Sequence, residues 1–255
     1  MDKLLYTAMG GAARTLEHQA VISNNMANIN TPGFREQLAL YRSVPVEGPG
    51  APTRVYTLAT TPGSDFSPGP LQSTGRELDV ALAGEGWLAV QAQDGEAYLR
   101  TASLQVGSDG VLRTERGLAL LSADGGVIDV PQGATLTISA DGNVNALGAG
   151  DAPNDVAVLA QLKRVNPPAA QLQRGDDGLF RLASGIAGDA AVQEPAPADP
   201  SVGVVSGALE SSNVSAAAAM VGMINNARRF EMQMKVIQHA DGNAQRANDL
   251  LAVSQ

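Results

Sequence analysis

The chain has 255 residues, a formal net charge of −9 and no cysteine. Its length accommodates one or two domains, and its apolar content suffices for a buried core. The acidic balance argues against nucleic acid as a partner, since that affinity comes largely from Lys and Arg on phosphates. The missing cysteines exclude disulfides, Cys-ligated zinc and thiol catalysis.

Charge and proline divide the chain. Residues 1–30 carry Asp2, Lys3, Arg14 and Glu17, and residues 209–255 carry four acids and four bases, so each end is neutral. The whole −9 lies in residues 31–208, as do all 14 prolines. Such shifts mark boundaries between differently built segments. No run approaches the ~18 apolar residues of a membrane-spanning helix, so no direct membrane insertion is expected. Lys3 followed by Leu4 to Ala13 is the best outline of a signal peptide. Asp2, two internal glycines and the helical pattern beyond argue against cleavage.

Asp2 to Asn28 predicts a helix. Leu5, Met9, Ala12, Leu16, Gln19, Ser23 and Met26 recur at alternating steps of four and three, the spacing of a helix-pairing seam. Gly10 and Gly11 each cost about 1 kcal/mol against Ala, so this helix needs a partner. It stops in Asn28-Ile29-Asn30-Thr31-Pro32-Gly33-Phe34, where Pro32 disfavours helix at Thr31 and Pro-Gly suits a type II turn.

Residues 35–75 have little periodicity and many prolines and glycines, which predicts an extended arm with short strands such as Thr53–Leu58. From Leu78 the pattern turns to strands. Leu78–Leu82 and Trp87–Gln91 flank Gly84-Glu85-Gly86, and Asp-Gly pairs follow at 94–95, 109–110, 124–125, 141–142 and 177–178. Each suits a tight hairpin, and their spacing predicts an all-β domain. Ala187–Pro200 reads as an exposed linker.

Ser212 to Leu251 predicts a second helix of ~40 residues, ~60 Å long, capped by Ser212 or Asn213. Met220, Met223, Ala227, Phe230, Met234, Ile237, Asp241, Ala244, Asn248 and Leu251 form its seam. The fold class is α+β. Long, coiled-coil-like terminal helices (1–30 with 208–255) form a helical assembly domain, 31–75 a connecting arm, and 76–207 a mainly-β outer domain.

Chemistry is not written into this sequence. His18 and His239 lie on the helices with no metal-binding spacing around them. Gly84-Glu85-Gly86 precedes a strand rather than a helix, which argues against phosphate binding. Asp176 and Asp177 precede Gly178 in a turn. No catalytic residue, metal or cofactor is expected, and the chain reads as a non-enzyme.

Four stretches then carry a resemblance. Ser23-Asn24-Asn25-Met26-Ala27-Asn28-Ile29-Asn30-Thr31-Pro32-Gly33-Phe34 resembles the N-terminal signature of flagellar axial proteins, the rod, hook and hook-associated family. Leu78–Leu82 with Gly84-x-Gly86-Trp87 resembles that family's central motif. Gly207-x-Leu209-Glu210-x-Ser212-Asn213-Val214 resembles the motif before its last helix, and Arg229–Gln233 with Lys235-x-Ile237-Gln238 resembles the helix itself. Met26 and Trp87 stand where Leu and Phe are usual. Tyr6–Gly10, Phe34-Arg35-x-Gln37-Leu38 and Arg42-x-Val44-Pro45-Val46 look most like a proximal-rod member, with a distal-rod or hook-family member as runner-up.

The resemblance implies a structural subunit of the bacterial flagellar basal body. It implies export by the flagellar type III apparatus without a cleaved signal peptide, and assembly into a tube crossing the periplasm. The partners would be the chain itself and other proximal and distal rod subunits. The terminal helices would form the inner wall. On this reading Leu5, Met9, Ala12 and Leu16 meet Met220, Met223, Ala227, Phe230, Met234 and Ile237 of the same or an adjacent subunit. The ends would order on assembly, and the polar seam members Asp241 and Asn248 would fix register or face the lumen. Two alternatives are a soluble β-domain binding module, and a cell-wall enzyme for which no convincing carboxylate pair is present.

Overall fold

The computed structural model describes residues 2–45, 55–59, 63–148, 150, 152, 155–183 and 194–252. The chain has a helix at each end and a mainly-β middle, an α+β arrangement. It divides into two compact units: Met1–Ile29 with Glu36–Asp65 and Val214–Gln255, and Asn30–Arg35 with Phe66–Asn213.

The first unit is built on α1 (Asp2–Ala27) and α2 (Ala216–Ala252). They run antiparallel, since Gly11 lies against Gln233 while Ile22 lies against Gly222. Gly11 sits where a Cβ would come within 2.9 Å of the Gln233 side chain, so this glycine permits close approach and is more than a weak helix former. Ser215, rather than Ser212 or Asn213, caps α2: its Oγ accepts from the Ala218 N–H at 3.4 Å, the N3 position. Two short antiparallel pairs complete the unit, Gln37–Leu38 with Gly63–Ser64 and Tyr41–Pro45 with Val55–Ala59. Thr53, part of the predicted strand, lies outside the described residues. α1 and α2 are formed and lie against each other along their length.

The second unit holds the β core. A ten-stranded antiparallel sheet has Trp87–Ala92 near its middle, with Gly95–Leu99 and Ala119–Leu120 beside it. A three-stranded sheet, Thr135–Ile138, Asn143–Leu147 and Ala157–Gln161, supplies Leu136, Ile138 and Val144 to the same core. Trp87–Ala92 is an almost unbroken apolar run because both faces are covered. Leu88 and Val90 join the main core on one side. Trp87 and Ala89 join a second cluster with Tyr98, Phe180 and the partly buried Phe66 on the other.

Four of the five Asp-Gly pairs sit in turns between antiparallel segments, and in the fifth Asp94 lies in the turn while Gly95 opens the next strand opposite Ala92; each glycine has positive φ, from 72° at Gly142 to 114° at Gly95. Asp tolerates the preceding position and Gly alone takes the next without strain. Two features depart from expectation. Leu71–Ser73 pairs with Ala208–Glu210, so the end of the predicted arm is tied into this unit. The predicted linker Ala187–Pro200 is not wholly exposed. Residues 187–193 lie outside the described set, but Ala196 is buried and its N–H donates to the Tyr98 hydroxyl at 3.0 Å.

The core is a stability device, and the helix exteriors are not. Leu104→Ala, at a fully buried position, is expected to cost about 2–5 kcal/mol in urea unfolding. Met9→Ala, half exposed on α1, is expected to stay within about 0.5 kcal/mol.

Candidate assembly surface

The two helices face each other with stripes in which Ala, Thr, Asn and Gln are interspersed with larger apolar residues. Along α1 the covered stripe is Leu5, Ala8, Ala12, Thr15, Gln19 and Ile22, spaced three and four apart. Along α2 it is Ala219, Met223, Asn226, Phe230, Gln233, Ile237 and Ala240, again spaced three and four apart.

The predicted seam overlaps this stripe at every second position. Leu5, Met223, Phe230 and Ile237 are half-buried and Ala12 is buried, as part of the covered stripe. Met9 (51 % exposed), Leu16 (57 %), Met220 and Met234 stand outside it, as does Ala227. Each is one residue past a covered Ala, Thr, Asn or Gln. One residue is ~100° of rotation on an α-helix, so these side chains point to the outside of the pair. Tyr6, Val221, Ile224, Met232 and Val236 are also exposed. Asp241 and Asn248, read as polar seam members, are exposed, and nothing is described of the Leu251 side chain.

Polar groups fill the covered stripe instead. The Asn226 amide, 3 % exposed, donates to the Thr15 carbonyl at 2.7 Å and to Gln19 Oε1 at 3.0 Å. Its Oδ1 lies 3.3 Å from His18 Nδ1, within reach of a hydrogen bond from that ring nitrogen. Thr15 Oγ1 donates to the Gly11 carbonyl at 2.9 Å and lies 3.2 Å from Gln233 Oε1. His18, considered above as a metal ligand, is thereby a network member, and its ring also meets Tyr41 edge-on. No group of metal-ligating residues occurs among the described residues, and no helix there is long and apolar enough to cross a membrane.

The Asn-rich signature at the end of α1 ties the following strand to the helix. Asn25 Nδ2 donates to the Gln37 carbonyl and Oδ1 accepts from its N–H, both at 2.9 Å. The side chain thus imitates a neighbouring strand. Asn24 Nδ2 donates to Gln37 Oε1 at 2.6 Å, and Asn28 Nδ2 donates back to the Asn24 carbonyl at 2.9 Å. Ala27, Thr31 and Pro32 are exposed, while Gly33 is half-buried and Phe34 buried. The Arg174 guanidinium stacks over Phe34, 4.2 Å from its ring centroid.

Inside the β unit, the two outer signatures meet on one carboxylate. Glu210 is fully buried; Oε1 accepts from Arg35 Nη2 at 2.5 Å and from the Gly69 N–H at 2.7 Å, and Oε2 from Arg100 Nε at 2.9 Å. Arg100 donates its other N–H groups to the carbonyls of Gly84 and Gly86. The glycine pair that resembles a phosphate loop is therefore an acceptor for arginine. Burial pushes the Arg100 guanidinium below its ordinary value, and Glu210 pulls against that. The backbone adds Gly33 N–H to Glu210 carbonyl at 2.7 Å and Asn213 N–H to Phe34 carbonyl at 3.4 Å. Asn213 Nδ2 donates to the Ser67 carbonyl at 3.0 Å, and Ser212 and Val214 are buried. Asp177, the other candidate carboxylate, is held below the usual carboxylate range by Arg181 at 2.6 Å in an exposed turn.

These motifs place the chain among the axial subunits of the flagellar rod and hook. Three families of that class match it: flagella basal body rod protein over residues 5–35, flagellar hook protein FlgE/F/G D1 domain over 81–146, and flagellar basal body rod FlgEFG protein C-terminal over 205–250. The flagellar basal-body rod protein FlgF of Escherichia coli is 52 % identical over the full length of both chains, and that of Salmonella typhimurium 51 %. The rod protein FlgG of Bacillus subtilis is 30 % identical over 94 % of this chain and 96 % of its own. The chain belongs to the FlgF family of flagellar basal-body rod proteins. It is a structural subunit of the basal-body rod, not an enzyme, and it assembles with other rod components.

Removing the shared carboxylate leaves two buried guanidinium groups without their counter-ion. Glu210→Gln is expected to destabilise the β unit by about 3–5 kcal/mol in denaturant unfolding. A loss under 1 kcal/mol would contradict the central place given to this residue.

Proposed function

We propose that the chain enters the rod through the outward faces of α1 and α2, which work as a coiled-coil-like pair. The observation that carries this is the placement of side chains. Ala12, Thr15, Asn226 and Gln233 are covered within the chain, while Met9, Leu16, Val221 and Ile224 are left in water. Exposed apolar residues in stripes mark surfaces that another protein covers. Leu5, Ala12, Met223, Phe230 and Ile237 hold the pair together, and Met9, Leu16, Met220, Ala227 and Met234 meet neighbouring subunits. Methionine is unbranched and adapts to contacts that are similar but not identical around a tube. Head-to-tail contacts of this kind propagate rather than close.

On this reading the helices form the inner wall of a rod that crosses the periplasm, and residues 31–75 act as a connecting arm. The partners are further copies of the chain and the proximal and distal rod subunits. The full-length match to FlgF chains favours a proximal position, with a distal one as the second reading. The subunit reaches its place through the flagellar type III export apparatus, without a cleaved signal peptide.

Leu16→Asp combined with Ile224→Asp tests the docking faces. Both positions are exposed in the single chain, so unfolding of the β unit is expected to stay unchanged. Swimming motility and recovery of the variant in purified basal bodies are expected to be lost. Normal incorporation would refute the reading.

A further inference from the structure

We propose that Thr15, Asn226 and Gln233 act as a facing lock that keeps the apolar stripes of α1 and α2 turned outward. Each helix carries two candidate stripes at three- and four-residue steps, which share Leu5, Ala12, Gln19, Met223, Phe230 and Ile237 and differ at the positions between them. In the covered stripe those positions include Thr15, Asn226 and Gln233; in the other they are Met9, Leu16, Met220, Ala227 and Met234, which are exposed. Turning each helix by ~50°, half the angle between successive residues, would exchange them. The exchanged pair would bury Met9, Leu16, Met220 and Met234 beside the shared apolar residues, and Thr15, Asn226 and Gln233 would return to water.

Hydrophobic burial alone favours the exchanged facing. The observed facing holds because its polar groups are paired across the interface. Asn226 uses both amide protons, on Thr15 and Gln19, and its oxygen faces His18. Thr15 lies beside Gln233, and Gly11 leaves the room that brings Gln233 close. Buried amides bonded in this way fix which faces meet, as single polar seam residues do in helical bundles. The lock therefore prevents the chain from covering its own docking faces. Its purpose rests on neighbours docking there, whereas its existence can be tested in the isolated chain.

The absence of cysteine makes disulfide reporters clean. Ile22→Cys with Gly222→Cys reports the observed facing, because a Cβ at Gly222 meets Ile22 Cδ1 at 3.4 Å. Leu16→Cys with Ala227→Cys reports the exchanged one. In an otherwise unaltered full-length chain, the first pair is expected to cross-link under mild oxidation and the second not. Adding Thr15→Ala, Asn226→Ala and Gln233→Ala removes the hydrogen bonds without adding apolar bulk, and the cross-linking pattern is expected to reverse at unchanged helicity. The same triple variant without reporters is expected to be missing from basal bodies. An unreversed pattern, a loss of helicity in its place, or an unaltered chain that fails to cross-link at 22–222 overturns the lock. A reversed pattern with normal incorporation leaves the lock standing and overturns the docking of neighbours on the outward faces.

Discussion

The Asn226 side chain is the constraint on which the helical unit depends. A buried amide must find partners for both protons and its oxygen, or it costs about 1–3 kcal/mol. Asn226 finds all of them on α1, at Thr15, Gln19 and His18. Those bonds are available in only one rotational setting of the two helices. The setting leaves Met9, Leu16, Met220 and Met234 outside. Each such side chain is worth about 1.5–3 kcal/mol when buried, and each satisfied hydrogen bond about 0.5–1.5 kcal/mol. The two facings are thus separated by a small difference between comparable terms. A structural subunit gains from that balance: the apolar energy withheld from the monomer remains for its neighbours.

The β unit follows the same logic with charge in place of amide. Glu210 is buried between two arginines that are far from it in sequence, with Arg100 also serving two glycine carbonyls. A buried pair is rarely a net gain over an apolar substitute, but it tolerates no missing partner. It specifies one arrangement of Asn30–Arg35, the Thr101–Val106 strand and Ala208–Glu210. The family signatures are therefore connectors. Asn25 imitates a strand for Gln37, and Arg35 and Glu210 supply opposite charges to one buried site.

Local rules were legible in the sequence, and long-range pairings were not. The Asp-Gly turns announced themselves because a glycine at positive φ is a local requirement. The Asp79–Ala83 and Trp87–Ala92 strands announced themselves by apolar runs between glycines. Arg100 carried no signal, since its partner lies in another strand and no spacing encodes it. The pairing of Leu71–Ser73 with Ala208–Glu210 was hidden for the same reason. The helix seam was half legible. A search for apolar periodicity favours Leu16 over Thr15 and Met234 over Gln233, because it ranks residues by hydrophobicity. It locates the most apolar stripe, which here faces outward. Met223, Phe230 and Ile237 were found because the covered stripe and the apolar one coincide at those positions. The Ser215 cap was missed because Ser212, Asn213 and Ser215 are all acceptable caps, and only backbone geometry selects among them.

A side-chain-resolution image of the intact basal-body rod tests this facing of the helices. Met9, Leu16, Val221 and Ile224 are expected to lie against neighbouring subunits, while Thr15, Asn226 and Gln233 face one another within a single subunit. Rod density in which Met9 and Leu16 pack on Met220 and Met234 of their own chain, with Asn226 turned to water or to a neighbour, would contradict it.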